Sequence, residues 1–120
     1  MRLAFRITAY SLSSLGVIHT ALTPLFYDRF SPDALWFAGT GLALVFLGLL
    51  NIVAERVWEV WALNVCIAAN LIGCVYGILV VLALPEIQAY VGLVIFIAVV
   101  IASVLARLNT RSAVVNPPSK

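Results

Sequence analysis

The chain predicts an all-α membrane fold, an up-down-up-down four-helix transmembrane bundle, on three observations. Hydrophobic residues make up 64% of it and charged residues 10%, with a mean hydropathy of +1.14. A soluble domain carries about 25% charged residues, so a water-facing surface cannot be built from this supply. The few charges are also placed so that residues 7–27, 34–54, 60–85 and 87–106 contain none. Each run is long enough for helix to cross a hydrocarbon core of about 30 Å. The links between the runs are short, which forces successive helices to lie antiparallel and adjacent.

Helix rather than strand follows from the lack of period-2 alternation in GLALVFLGLLN (41–51) and GLVIFIAVVIA (92–102). A membrane barrel requires that alternation, whereas a helix satisfies its own backbone in lipid. The first helix is expected over residues 5–27. Its apolar run is too long for a cleaved leader and lacks a small-x-small cleavage site, so it is read as retained. The second is expected over 33–54, with Ser31 as cap, Pro32 at the first position and Asp33 in the first turn. The third is expected over 58–84, because Pro85 cannot continue a helix. The fourth is expected over 87–108, with Glu86 at the end where a helix favours negative charge. Residues 109–120, with Pro117 and Pro118, read as a tail.

Orientation follows from the basic residues. Four crossings put Arg2, Arg6, Arg56, Arg107, Arg111 and Lys120 on one side and Arg29 alone on the other. That is a positive-inside signature, placing both termini in the cytoplasm and the chain in the inner membrane. Phe26, Tyr27, Phe30, Trp36 and Tyr90 would mark the outer interface, and Trp58 and Trp61 the inner one. Arg56 and Glu59 are spaced for an interfacial ion pair.

Helices associate in lipid through close packing and polar contacts. Ala69, Gly73 and Gly77 form a small-residue stripe on the third helix, and Ala98, Ala102 and Ala106 form one on the fourth. Ala38, Gly41 and Gly48 share a face of the second helix. All are expected to pack helices. The first helix carries a polar stripe instead, Ser13, Gly16, Thr20 and Thr23, bordered by His19, the sole histidine. Pro24 has no N–H to donate to the carbonyl of Thr20, so that acceptor needs another partner. A ligand site, if one exists, is expected around His19, Thr20 and Thr23, with Asn70 and Tyr76 of the third helix as partners. The bland alternative makes His19 a neutral imidazole bonded to Asn70 or Tyr76 to hold the helices in register.

Several chemistries are disfavoured. Cys66 and Cys74 are eight residues apart on one helix, about 12 Å in rise, too far to bridge. No C-x-x-C, phosphate loop, nucleophile motif or nucleic-acid module is present, and no carboxylate lies inside an apolar run. One histidine cannot by itself make a metal or bis-histidine haem site; no metal or cofactor is predicted. GVIHT (16–20) and WFAGTGLALVFLGLLN (36–51) resemble small uncharacterised bacterial four-helix inner-membrane proteins. That resemblance implies the helix count for the whole chain, carries no activity, and draws attention to His19 and Asn51.

The expected function is therefore a small integral membrane protein without catalytic machinery. It would be structural or accessory, with the bilayer and either a second copy or a larger membrane protein as partners. The alternatives are binding or transport of a small lipophilic ligand near His19, and a haem or redox subunit using His19 from two copies.

Overall fold

The computed structural model describes residues 2–115 and their side chains through Thr110. These residues form five helices: α1 (Arg2–Ala21), α2 (Thr23–Phe26), α3 (Pro32–Val57), α4 (Val60–Ala83) and α5 (Ile87–Val115). Three stretches are long and apolar enough to cross a membrane, Pro32–Val57, Val60–Ala83 and Ile87–Thr110, with mean hydropathies of 2.1, 2.5 and 2.8. Helix α1 has 20 residues but mixes its apolar side chains with Arg6, Thr8, three serines, His19 and Thr20. The fold is all-helical, with three helices fit to span a membrane.

The boundaries have local causes. Ser31 caps α3, its Oγ accepting from the Ala34 N–H at 3.2 Å, with Pro32 as the first helical residue. Helix α4 stops at Ala83, two residues before Pro85. The Glu86 carbonyl accepts from the N–H groups of Ala89 and Tyr90, starting α5. Between α3 and α4 the chain turns at Trp58, which adopts a left-handed conformation (φ 55°, ψ 32°) and donates its N–H to the Ala54 carbonyl at 2.9 Å. A bulky residue there costs about 1–2 kcal/mol. Its ring is engaged by Phe5 edge-on at 6.3 Å and by the Arg2 guanidinium at 4.3 Å.

Two boundaries differ from those expected by more than three residues. The first helix does not run unbroken to residue 27; it ends at Ala21, and a single turn, α2, follows. Pro24 is the cause, since it removes a donor and crowds the preceding turn. The chain responds by tightening: Leu25 donates to Leu22, before Phe26 to Leu22 and Tyr27 to Thr23 restore the α spacing. The last helix passes the expected end at 108 and continues to Val115, because no glycine or proline lies in 109–115 to stop it. The rest of the expected tail, 116–120 with Pro117 and Pro118, lies outside the described residues.

Each long helix packs on two others: α1 on α3 and α5, and α4 on α5 and α3. No Cα of α1 comes within 8 Å of one of α4. The α1–α3 seam is the tightest. A Cβ added to Gly16 would lie 2.6 Å from the Val45 nitrogen, one on Gly41 2.7 Å from the Thr20 nitrogen, and one on Gly48 2.6 Å from the Ser13 nitrogen. The two backbones therefore touch. Arg6–Glu55, Ser13–Gly48, Gly16–Val45 and Thr20–Gly41 form one antiparallel ladder, since each step along α1 is matched by an equal step back along α3. The polar stripe of α1 is thus the mate of the glycine stripe of α3.

The core is drawn from all four long helices, including Phe5, Leu12, Leu44, Leu63, Cys66, Phe96 and Val99. Gly73 and Gly77 receive the ring of Phe96, with Leu47 and Leu93 beside it. Ala69 and Ala98 are half-buried, and Ala102 packs against the core cluster. Large apolar side chains face outward along the whole length: Trp36 is 78% exposed, Ile72 72% and Ile87 78%. So continuous an apolar exterior is stable only against lipid or another apolar surface.

Candidate functional site

Polar groups gather at three levels. The deepest joins α3, α4 and α5. Asn51 and Asn70 are fully buried and exchange two hydrogen bonds, each amide nitrogen donating to the other's carbonyl oxygen at 2.8 Å. Asn51 Nδ2 also donates to the Leu47 carbonyl at 2.8 Å, and Asn70 Nδ2 to Ser103 Oγ at 3.3 Å. Ser103, itself fully buried, donates its hydroxyl to the Val100 carbonyl at 2.9 Å. The Cys66 thiol donates to the Leu50 carbonyl at 3.4 Å. These groups are paired with each other, so the cluster presents no open donor set. Two amides so matched fix the vertical register of α3 against α4, since a shift by one turn would leave both unpaired in lipid.

The second level is at the opposite end of the helices, beside the α1–α2 break. His19 is half-buried and stacks on Phe37, with ring centroids 3.9 Å apart and planes 20° apart. Phe26 and Tyr27 lie against the same Phe37 at 5.7 and 5.6 Å. The Thr20 hydroxyl is directed at the Gly16 carbonyl at 3.0 Å, with the Ala38 carbonyl at 3.5 Å. The hydroxyls of Ser13 and Thr23 are buried and make no hydrogen bond among the described residues.

The five residues expected to form one site are therefore not brought together. His19, Thr20 and Thr23 share the α1–α2 region. Asn70 is turned to Asn51, and Tyr76, half-exposed on α4, belongs to a helix with no Cα within 8 Å of α1. The imidazole meets a phenyl ring of α3 rather than an amide or phenol of α4. The physical reason is helix order: α1 sits against α3 and α5, which leaves α4 diagonally opposite. Ser103 is a member of the deep cluster that the sequence does not mark. A single serine in an apolar run gives little signal until Asn51 and Asn70 are seen at its level.

The third level is at the end where α1 begins and α3 finishes. Arg6 donates to Glu55 Oε1 from Nη2 at 2.8 Å and from Nε at 3.2 Å. Glu55 is 5% exposed. The expected Arg56–Glu59 pair is not formed; both side chains are exposed, and the ion pair is made one residue earlier and to another helix. The sequence spacing favoured the local partner, but residue 55 rather than 56 points at α1. Nearby, Arg107 Nε donates to Asn64 Oδ1 at 2.9 Å, tying α5 to α4. Cys66 and Cys74 are free thiols. No group of three or more metal-ligating side chains occurs among the described residues.

Comparison with protein-family models, with curated proteins and with solved structures finds no match.

Proposed function

We propose that the chain is a non-catalytic integral membrane protein with four crossings, an up-down-up-down bundle. It resides in the bacterial inner membrane with both termini cytoplasmic, and acts as a structural or accessory subunit alongside a second copy or a larger membrane protein. One observation carries the reading. The fully buried polar side chains Asn51, Asn70 and Ser103 are paired with one another, and the nearly buried Glu55 is paired with Arg6. A transport path or a reaction centre needs polar groups turned toward a substrate; these hold helices together.

Helix α1 supplies the fourth crossing. Its 20 residues span about 30 Å, the thickness of the hydrocarbon core. Its polar side chains Ser13 and Thr20 lie in the seam with α3, hidden from lipid by glycine backbone. The basic residues Arg2, Arg6, Arg56 and Arg107 gather at one end of the molecule, and positive charge is retained on the cytoplasmic side.

Native mass spectrometry of protein extracted gently from its own membrane tests the role. The expected result is a colourless assembly of two or more chains, or of this chain with a second protein, holding no stoichiometric organic cofactor. A haem absorbance lost in His19→Ala would overturn it.

A second reading rests on one feature, the buried hydroxyl of Thr23, which makes no hydrogen bond among the described residues, beside the His19–Phe37 stack. A small lipophilic molecule with one polar group would be held there. Retention of such a molecule by the native protein, abolished by Thr23→Val and His19→Ala, would favour this reading over the first.

A further inference from the structure

The cytoplasmic end carries a feature that helix packing does not require. A cavity of about 330 Å³ opens between α1 and α3, lined by Arg6, Tyr10, Glu55 and Arg56. It is a groove half open to the surface rather than an enclosed pocket. Glu55 is nearly buried and takes two donors of the Arg6 guanidinium on one oxygen. A guanidinium has five N–H donors, so three remain, held in place by the same carboxylate. The ion pair cancels one positive charge. Arg56 contributes a second, is exposed, and makes no ion pair among the described residues. Tyr10 adds a phenol one helical turn beyond Arg6. The cavity therefore offers one uncompensated positive charge, a pre-positioned fork and a hydroxyl.

We infer that this cavity binds the phosphate of an anionic phospholipid from the inner leaflet. The inference rests on the membrane reading above. A cation finds no free carboxylate here, because Glu55 is already matched by Arg6. A phosphate diester finds donors in a fork geometry suited to its oxygens. The source is lipid rather than free phosphate because of what adjoins the cavity. Ile7 and Val17 on α1, and Leu49 and Val53 on α3, are exposed apolar side chains on the same two helices. By helical spacing Val17 shares the face of Arg6 and Tyr10, and Leu49 that of Arg56, so acyl chains find apolar side chains along the same faces. Trp58 and the Arg2 guanidinium over it stand at the same end, as interfacial groups do. Basic pockets between helices on the cytoplasmic side are where headgroups bind in this manner.

The test uses full-length protein in a neutral detergent, with retained phosphatidylglycerol and phosphatidylcholine counted by native mass spectrometry. The expected result is one phosphatidylglycerol per chain held in preference to phosphatidylcholine. Arg56→Gln should weaken it about tenfold, as loss of a charge-assisted hydrogen bond implies. Arg107→Gln, which removes a charge from the same end but lies outside the cavity, should change it less than about twofold. Arg56→Gln carries the test because Arg6→Gln would strand Glu55 and endanger folding; Tyr10→Phe is a second, milder variant expected to weaken binding. Equal losses in Arg56→Gln and Arg107→Gln would reduce the effect to diffuse charge and overturn the site. Displacement by millimolar inorganic phosphate would overturn lipid as its source. Alkaline extraction of the same membranes separates the two levels. A chain that stays in the membrane but retains no phosphatidylglycerol defeats the headgroup site alone, whereas a chain released by alkali defeats the membrane reading and the site together.

Discussion

Two kinds of residue decide how tightly this protein closes: glycines where backbones meet, and amides that find each other. At Gly48 an added methyl would press on the Ser13 backbone, while Gly39 has nothing within 4 Å of where a Cβ would stand. Gly48→Ala should therefore destabilise by about 1–3 kcal/mol through overpacking, and Gly39→Ala should be close to neutral. Thermal unfolding in detergent reads both, and equal effects would show that the α1–α3 seam is looser than described. Asn70→Val should cost about 1–2 kcal/mol, near the upper end for polar contacts between membrane helices. Because Asn51 loses its mate in that variant, adding Asn51→Val should cost less than it does alone. Simple additivity of the two would mean the amides do not act as a pair. On burial alone, His19→Ala should cost less than Asn70→Val. A stacked, half-buried imidazole gives up less on removal than an amide sealed at 0% exposure.

At the scale of elements, the sequence legibly marked where helices lie but not which faces meet. Charge-free runs and the cap at Ser31 located α3, α4 and α5, because desolvation of charge and of backbone ends is a local cost written in local residues. The stripes on α1 and α3 were visible separately, as polar and as small. That they are complementary depends on an antiparallel register that neither stripe encodes alone. The partner of Asn70 was missed for the same reason: which helix stands diagonal to α1 is a property of the assembled four. The break at Leu22 lay in between. Pro24 was seen to free a carbonyl, yet whether the helix bends or stops depends on how the next turn can re-bond. The observed answer is a tightened turn through the Leu22 carbonyl. If proline sets that break, Pro24→Ala should give carbon-13 helical shifts in NMR that run without interruption from Ile18 to Phe26. It should also move Tyr27 away from Phe37. A break that survives the substitution would assign it to the contacts of α2 with α3 instead.

For the whole molecule the strongest constraint is the ladder from Arg6–Glu55 at one end to Thr20–Gly41 near the other. It aligns α1 with α3 over most of their length, and the proposed fourth crossing rests on that alignment. Helix α1 is the least apolar of the four; Ser13 and Thr20 face the glycines of α3, while Leu3, Ile7, Val17 and Ile18 stand exposed together with Ser11 and Ser14. The four crossings proposed above make a definite labelling pattern. Asp28, Glu59, Glu86 and Leu3 are all exposed. In a background with Cys66→Ala and Cys74→Ser, a membrane-impermeant maleimide added to intact spheroplasts should label Asp28→Cys and Glu86→Cys. Glu59→Cys and Leu3→Cys should react only after permeabilisation. Three crossings, with α1 lying outside the membrane, would put Leu3→Cys with Asp28→Cys; a reversed orientation would exchange the two groups. Leu3 is the discriminating position, because the basic end of the molecule and the α1–α3 seam both require it to stand with Glu59.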